Sequence, residues 1–248
     1  MAKNNPKNNK TAKSTTQTQS NIGVDLLDDS DLLREKILGA DGFVQKNRFL
    51  LITLTAVVVL SVGGYLFYNY LSAQQEKQAQ DDMFAAVYYL EADSLNKAIK
   101  GDGNYSGLEE IADNYTLSKA SNLSRFYLGV ALLKKGKYEE AIASLENFSA
   151  SDLLVQSRAY SLIADANMEL GRYEEAVKYY SKAINHKPNK SFTPQYLMKL
   201  AVANEKNKNL QAAIDAYSKL IDTYPASPDY INAKKYKAQL EQSLKAGK

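Results

Sequence analysis

The feature that most constrains this chain is a spacing. The stretch GRYEEAVKYYSKAINHKP, residues 171–188, reappears as GKYEEAIASLENF from Gly136. Degraded copies stand at GNYSGLEEIADNY from Gly103 and KNLQAAIDAYSKLIDTYP from Lys208. The turn positions Gly103, Gly136, Gly171 and Lys208 step by 33, 35 and 37 residues. In the clearest copy Ala176, Tyr180 and Ala183 share one helical face. Gly171 suits the end of a preceding helix, and Pro188 stops the one that follows. Small residues admit a second backbone and tyrosine fills the space left over. Each unit therefore reads as two helices packed closely across a short turn. Such a pair cannot bury its apolar face alone, so units must stack into an α-solenoid.

The chain of 248 residues divides into parts. Residues 1–48 open polar and unpatterned, which predicts a disordered tail. They contain no arginine in their first 30 residues, unlike a mitochondrial leader. Leu26, Leu27, Leu32, Leu33 and Leu38 then mark a short amphipathic helix, a candidate dock on a membrane or membrane partner. Residues 49–71, FLLITLTAVVVLSVGGYLFYNYL, carry no charge and are long enough to cross about 30 Å of hydrocarbon. The apolar run is too long and starts too late for a cleaved signal peptide. Tyr65, Tyr68 and Tyr70 stand where an interfacial aromatic belt belongs. Arg34, Lys36, Lys46 and Arg48 precede the span, whereas Lys77 alone lies close behind it. Positive residues stay inside. The expectation is a cytoplasmic amino terminus with residues 72–248 across the membrane, which in a bacterium is the periplasm. Residues 72–88 read as a helical stalk, 89–228 as repeats and 229–248 as a capping helix and tail. The expected class is all-α: one transmembrane helix, then a solenoid of three to four repeats plus a cap.

Composition excludes several chemistries. With 31 basic and 28 acidic side chains there is no footprint for nucleic acid. There is no cysteine, hence no disulfide, thiol nucleophile or zinc-thiolate site. The single histidine, His186, reads as a solvated helix-end residue, and one histidine makes no metal centre. GDGNYSG at Gly101 lacks both the phosphate-loop motif and the acidic spacing of a calcium loop. Glu139/Glu140 and Glu174/Glu175 favour helix amino ends and read as solvated. No enzyme, cofactor, metal or small-molecule substrate is expected.

The repeats resemble the tetratricopeptide repeat (TPR) family. Its period is near 34, with small residues at positions 8 and 20, glycine near 15, an aromatic at 17, alanine at 27 and proline at 32. The unit from Ser157 matches with Tyr160, Ile163, Ala164, Gly171, Tyr173, Ala176, Tyr180, Ala183 and Pro188, and departs with Asn167 at position 11. The unit from Asn122 matches with Leu128, Gly129, Leu132, Gly136, Tyr138, Ala141 and Leu145, and departs at Arg125, Phe148 and Leu153. The unit from Pro194 matches with Leu197, Leu200, Ala201, Ala213, Tyr217 and Pro225. It departs at Asn204, Leu210 and Leu220, and has Lys208 at the turn. A unit from Tyr89 is degenerate, with Asn96 where a small residue belongs. The resemblance implies that Gly129, Ala141, Ala164, Ala176, Ala183, Ala201 and Ala213 are packing positions. It also implies a concave groove lined from positions 2, 5, 9 and 12 of each first helix. Those positions name Leu123, Phe126, Val130 and Leu133; Arg158, Ser161, Asp165 and Met168; and Gln195, Met198, Val202 and Glu205. Phe126 and Val130 replace the lysine and asparagine with which some family members clamp a carboxyl terminus, so that mode is not expected.

A cytoplasmic tail, one span and degenerate repeats also resemble the YfgM-type ancillary subunits of the bacterial Sec translocon, over roughly residues 30–245. That family implies association with the translocon, with a periplasmic prolyl-isomerase chaperone and with exported proteins. The Lys-, Asn- and Tyr-rich composition and the long polar start depart from its proteobacterial members. A scaffold subunit of another envelope machine (secretion, division or outer-membrane assembly) has the same layout. A eukaryotic organelle receptor with cytosolic repeats would need the opposite charge bias.

Overall fold

The computed structural model describes residue 42 and residues 44–246. The expected tail and its leucine-rich helix lie outside those residues. The chain divides into one unit up to Tyr65 and another from Leu66.

Helix α1, Arg48–Glu91, runs for 44 residues. Among the described residues it is the one helix long and apolar enough to cross a membrane. Two hydroxyls in its apolar part bond back to their own helix. Thr53 Oγ1 donates to the Phe49 carbonyl at 2.9 Å and Ser61 Oγ to the Val57 carbonyl at 2.7 Å. Those bonds remove polar atoms that hydrocarbon could not solvate.

In the second unit α1 continues to Glu91. It is followed by α2 (Leu95–Lys100), α3 (Leu108–Asn114), α4 (Lys119–Lys134), α5 (Tyr138–Glu146), α6 (Val155–Glu169), α7 (Tyr173–Asn185), α8 (Thr193–Lys206), α9 (Leu210–Thr223) and α10 (Tyr230–Ala246). From α4 onward, each helix packs on the next. Three turns share one construction. Gly136, Gly171 and Lys208 adopt left-handed backbone, with φ of 74°, 70° and 60°. The N–H groups of Gly136, Gly171 and Lys208 bond the carbonyls of Leu133, Met168 and Glu205 at 3.0–3.1 Å. The next residues, Lys137, Arg172 and Asn209, reach back to Leu132, Asn167 and Asn204 at 2.8–2.9 Å. This is the Schellman closure, which satisfies carbonyls the helix end leaves unpaired.

The first repeat differs from the expected one. Its left-handed turn is at Asp93 (φ 56°), not at Gly103. Ser94 N–H closes it onto the Tyr89 carbonyl at 2.8 Å. Leu95 and Ala98 then stand where Tyr138 and Ala141 stand in the next unit. The residues expected as a stalk are this repeat's first helix, with Ala79 and Ala86 buried. Glu76 Oε2 accepts the N–H of Lys119 at 2.5 Å and caps α4, and Tyr115 donates its hydroxyl to Asp82 at 3.0 Å. The second helix is broken into α2 and α3 by the loop Gly101–Gly107. A Cβ on Gly107 would lie 2.2 Å from the Ile99 carbonyl oxygen, so only glycine permits that crossing. Asp102 holds the loop by accepting the N–H of Asn104 and Tyr105, both at 2.9 Å, and the Tyr89 hydroxyl at 2.6 Å.

Helix α10 covers the last pair through buried Ala233, and the Tyr236 ring lies 6.0 Å from that of Tyr217.

Candidate protein-binding groove

The small residues make the close contacts between the paired helices. Ala141, Ala164, Ala176, Ala201 and Ala213 are each 0% exposed, and Gly129 and Ala183 are buried. With no side chain beyond Cβ to hold the backbones apart, paired helices approach closely. Asn167 and Asn204, which depart from the pattern at position 11, are buried as well. Each amide donates one turn back, to Ile163 at 2.8 Å and to Leu200 at 2.9 Å. Their own backbone carbonyls accept the turn bonds from Arg172 and Asn209.

The expected lining residues fall into two groups. Those of the first unit are largely used inside the fold. Leu123, Phe126, Val130 and Leu133 are half-buried against a cluster of Leu145, Phe148, Ala159, Leu162 and Ile163. The Phe126 ring lies 5.4 Å from that of Phe148. Phe148 replaces a small residue at position 27, and the aromatic pair closes the space an open apolar wall would need. Ser161, expected in the groove, is fully buried instead.

The second group follows the first helices of the next two units, α6 and α8. Arg158, Gln195 and Val202 are exposed, whereas Asp165, Met168, Met198 and Glu205 are half-buried. Asp165 is the electrostatic centre of this face. Its carboxylate accepts the Tyr180 hydroxyl at 2.5 Å and both of its oxygens accept Lys199 Nζ, at 2.8 and 2.7 Å. Burial and then the Asp165 charge raise the Tyr180 phenol well above its ordinary range. Glu205 accepts the Tyr217 hydroxyl at 2.7 Å in the next unit, and burial with that bond raises Tyr217 likewise. Lys199 and the tyrosine hydroxyls were not among the expected lining residues. Tyrosine at position 24 facing an acid on the first helix was the signal available for them.

His186 is half-buried, not freely solvated. Its Nε2 lies 3.0 Å from the Asp152 carbonyl and its ring 6.2 Å from that of Tyr160. Among the described residues no group of three or more His, Asp and Glu is placed to hold a metal ion.

Two family models, both described as tetratricopeptide repeat, match residues 126–191 and 195–227. The chain carries tetratricopeptide repeats. The matched segments begin within α4 and run through α9. Solved TPR-like structures agree in fold. Nearly identical repeats from Podosopora anserina, assigned to a kinesin light chain, superpose with a TM-score of 0.54 at 15% identity, covering 67% of this chain and 87% of that one. Their Q17M variant gives 0.53 at 16% identity, covering 67% and 86%. Among curated sequences, the uncharacterized protein ycf37 of Guillardia theta is 29% identical over 118 residues, 46% of this chain. The chain spans 65% of that relative's length.

Proposed function

We propose that this chain is a membrane-anchored protein-interaction module, an adaptor or chaperone-like ancillary factor at the Sec translocon. In this reading α1 spans the bacterial inner membrane with its amino terminus in the cytoplasm. The TPR groove lies in the periplasm and holds segments of exported proteins, a periplasmic chaperone or translocon subunits. The observation that carries the reading is the face formed by Met168, Met198 and Val202 beside Arg158 and the Asp165–Lys199 pair. Methionine conforms to varied apolar side chains, and the charges select among them.

The expected wall at Phe126, Val130 and Leu133 is half-buried, and this favours a second reading. A groove with less open apolar surface and more fixed charge suits one stoichiometric partner, as in a scaffold of another envelope complex.

Photo-crosslinking in living cells from Met168, Met198 and Val202, with Glu174 as an exposed control, tests both. Groove-specific adducts to translocon subunits and many exported proteins support the export reading. One dominant adduct to a single envelope component supports the scaffold. Adducts no different from those of Glu174 would overturn both.

A further inference from the structure

The stack of repeats has two rims, and they differ in chemistry. Its paired helices run up and down, so the turns at Asp93, Gly136, Gly171 and Lys208 share one rim. The loops that precede α4, α6, α8 and α10 share the other. Each rim is tied along its length. On the turn rim Lys134 Nζ bonds Asp93 at 3.0 Å and Lys135 Nζ bonds Asn96 at 2.6 Å. On the loop rim Ser72 Oγ donates to the Leu117 carbonyl at 2.9 Å, Asn122 Nδ2 to that of Ser149 at 2.8 Å and Ser157 Oγ to that of His186 at 2.9 Å.

Among the described residues no large apolar side chain is exposed on the turn rim. Beyond Tyr105 six are exposed in all, and four of them stand on the loop rim: Leu153 47%, Leu154 43%, Phe192 37% and Ile231 70%. Two of the loops hold them out by one construction. Leu154 and Phe192 are the residues directly before α6 and α8, where a polar side chain ordinarily takes up a free N–H. That duty has moved upstream. Asp152 accepts the N–H groups of Leu154 and Val155 at 2.6 and 2.5 Å, and Asn189 those of Ser191 and Phe192 at 3.1 and 2.9 Å. The residue at each helix start is thereby left apolar and turned to the outside. Water gives no return for that, so the patch marks a contact surface.

The loop rim is also the end of the stack that meets the apolar span. Ser72, which fixes Leu117, directly follows Leu71, the last residue of the uncharged run. We infer that this rim rests on the surface of the membrane that α1 enters, with Leu153, Leu154 and Phe192 set about 5–10 Å into the headgroup boundary. Lys187 and Lys190 flank Phe192 in its loop and are exposed, placed to meet the phosphates of anionic lipid. Asp152 is occupied by the N–H groups it accepts. Asp229 is exposed beside Ile231 and opposes the contact there, so the centre of the contact is the pair of loops before α6 and α8. The inference rests on α1 being a membrane anchor. A second foothold stops the repeats from turning about α1, which a single helix cannot do.

The chain has no cysteine, so single introduced thiols report cleanly. Full-length Leu153→Cys, Phe192→Cys, Ile231→Cys, Lys206→Cys and Val58→Cys are labelled with bimane. Each is reconstituted into vesicles of phosphatidylethanolamine and phosphatidylglycerol whose acyl chains carry bromine as quencher. Loss of fluorescence is expected at residues 153 and 192, a smaller loss at 231 and none at 206 on the turn rim. Lys187→Glu with Lys190→Glu should reduce the loss at 192 while helical circular dichroism is unchanged. Quenching at 58 with none at 153 and 192 would overturn the inference and leave the anchor standing. No quenching at 58 would overturn the anchor reading and this inference with it. Labels that stay in water in these vesicles, at thiols that cross-link to another protein in native membranes, would assign the rim to a protein partner instead.

Discussion

Gly129 on α4 faces Leu145 on α5 so closely that a Cβ built on the glycine would lie 2.4 Å from Leu145 Cγ. Leu145 is 1% exposed and has little room to retreat. Gly129→Leu should therefore destabilise the fold by about 3 kcal/mol. Gly129→Ala sets overpacking against a helix-propensity gain of about 1 kcal/mol and should still be a net loss. In a Leu145→Ala background the steric part disappears, and Gly129→Ala should become stabilising. Urea midpoints for the four chains of that cycle check the change of sign.

The turn at Lys208 places an ordinary side chain at φ 60°, where its counterparts in the two preceding repeats are glycines. Left-handed backbone costs an L-residue about 1–2 kcal/mol. Lys208→Gly should raise stability by about 0.5–1 kcal/mol after the greater chain entropy of glycine is subtracted. Gly136→Ala and Gly171→Ala should each lower it by about 1 kcal/mol. A chemical-denaturation series in which Lys208→Gly is destabilising would rule out this account of the turn.

Asp165, Tyr180 and Lys199 should prove unequal in weight. Tyr180 is 3% exposed, so Asp165→Ala strands a buried hydroxyl and should cost about 2 kcal/mol. Lys199→Ala should cost under about 1 kcal/mol, because the lysine and aspartate side chains are 31% and 30% exposed and water screens them. Asp165→Asn keeps an acceptor for Tyr180 and should fall between the two. Thermal unfolding of the three variants gives the order directly.

Stability should fall at both ends of the pH scale for identifiable reasons. The Tyr89 hydroxyl, followed by the N–H groups of Tyr105 and Asn104, holds Asp102 at about 2. An ordinary aspartate ionises near about 3.9. The folded value is the lower one, so this stabilisation is present above about pH 4 and is lost as pH falls towards about 2. Asp102→Asn should flatten that acid limb. At the alkaline end, burial and the bond to Asp82 push Tyr115 up to about 12. Burial and the bond to Glu146 do the same for Tyr179. Unfolded tyrosine ionises near about 10, so this stabilisation is intact below about pH 10 and lost as pH rises through about 12. Tyrosinate absorbance at these sites should develop together with loss of helical circular dichroism. Complete ionisation of all tyrosines near pH 10 with helicity intact would contradict the assignment.

The repeats were legible where each position carries its own chemistry. Gly136, Gly171 and the small residues at positions 8 and 20 mark turns and contacts that only those side chains permit. The first repeat was hidden twice. Asp93 stands where glycine was expected, and it can, because aspartate tolerates left-handed backbone better than most residues. The loop Gly101–Gly107 then splits the second helix and shifts the apparent period. A polar run before the turn consequently read as a stalk, although Ala79 and Ala86 already had the spacing of packed positions. The surroundings of the candidate lining residues were partly legible. Position numbers carried over from the family identify which helix face turns inward. They do not reveal that Phe148, by replacing a small residue, draws Phe126 into the fold. Nor does a position number show that Lys199 reaches across to Asp165, since that pairing depends on how far one first helix stands from the next.

The Schellman-closed pairs, stacked each upon the next, also decide how the chain yields when pulled. Tension applied at the carboxyl end meets α10 first, and Ala233 is its one fully buried foothold among the described residues. Once α10 lifts, the load passes to α9 and then to α8, because a solenoid has no contacts between distant repeats to share it. The pair secured by Ala79, Ala86 and Leu90 is the last to feel it. The repeats are therefore lost stepwise from the carboxyl end, as a zip opens, while the repeat nearest Asp93 keeps its shape.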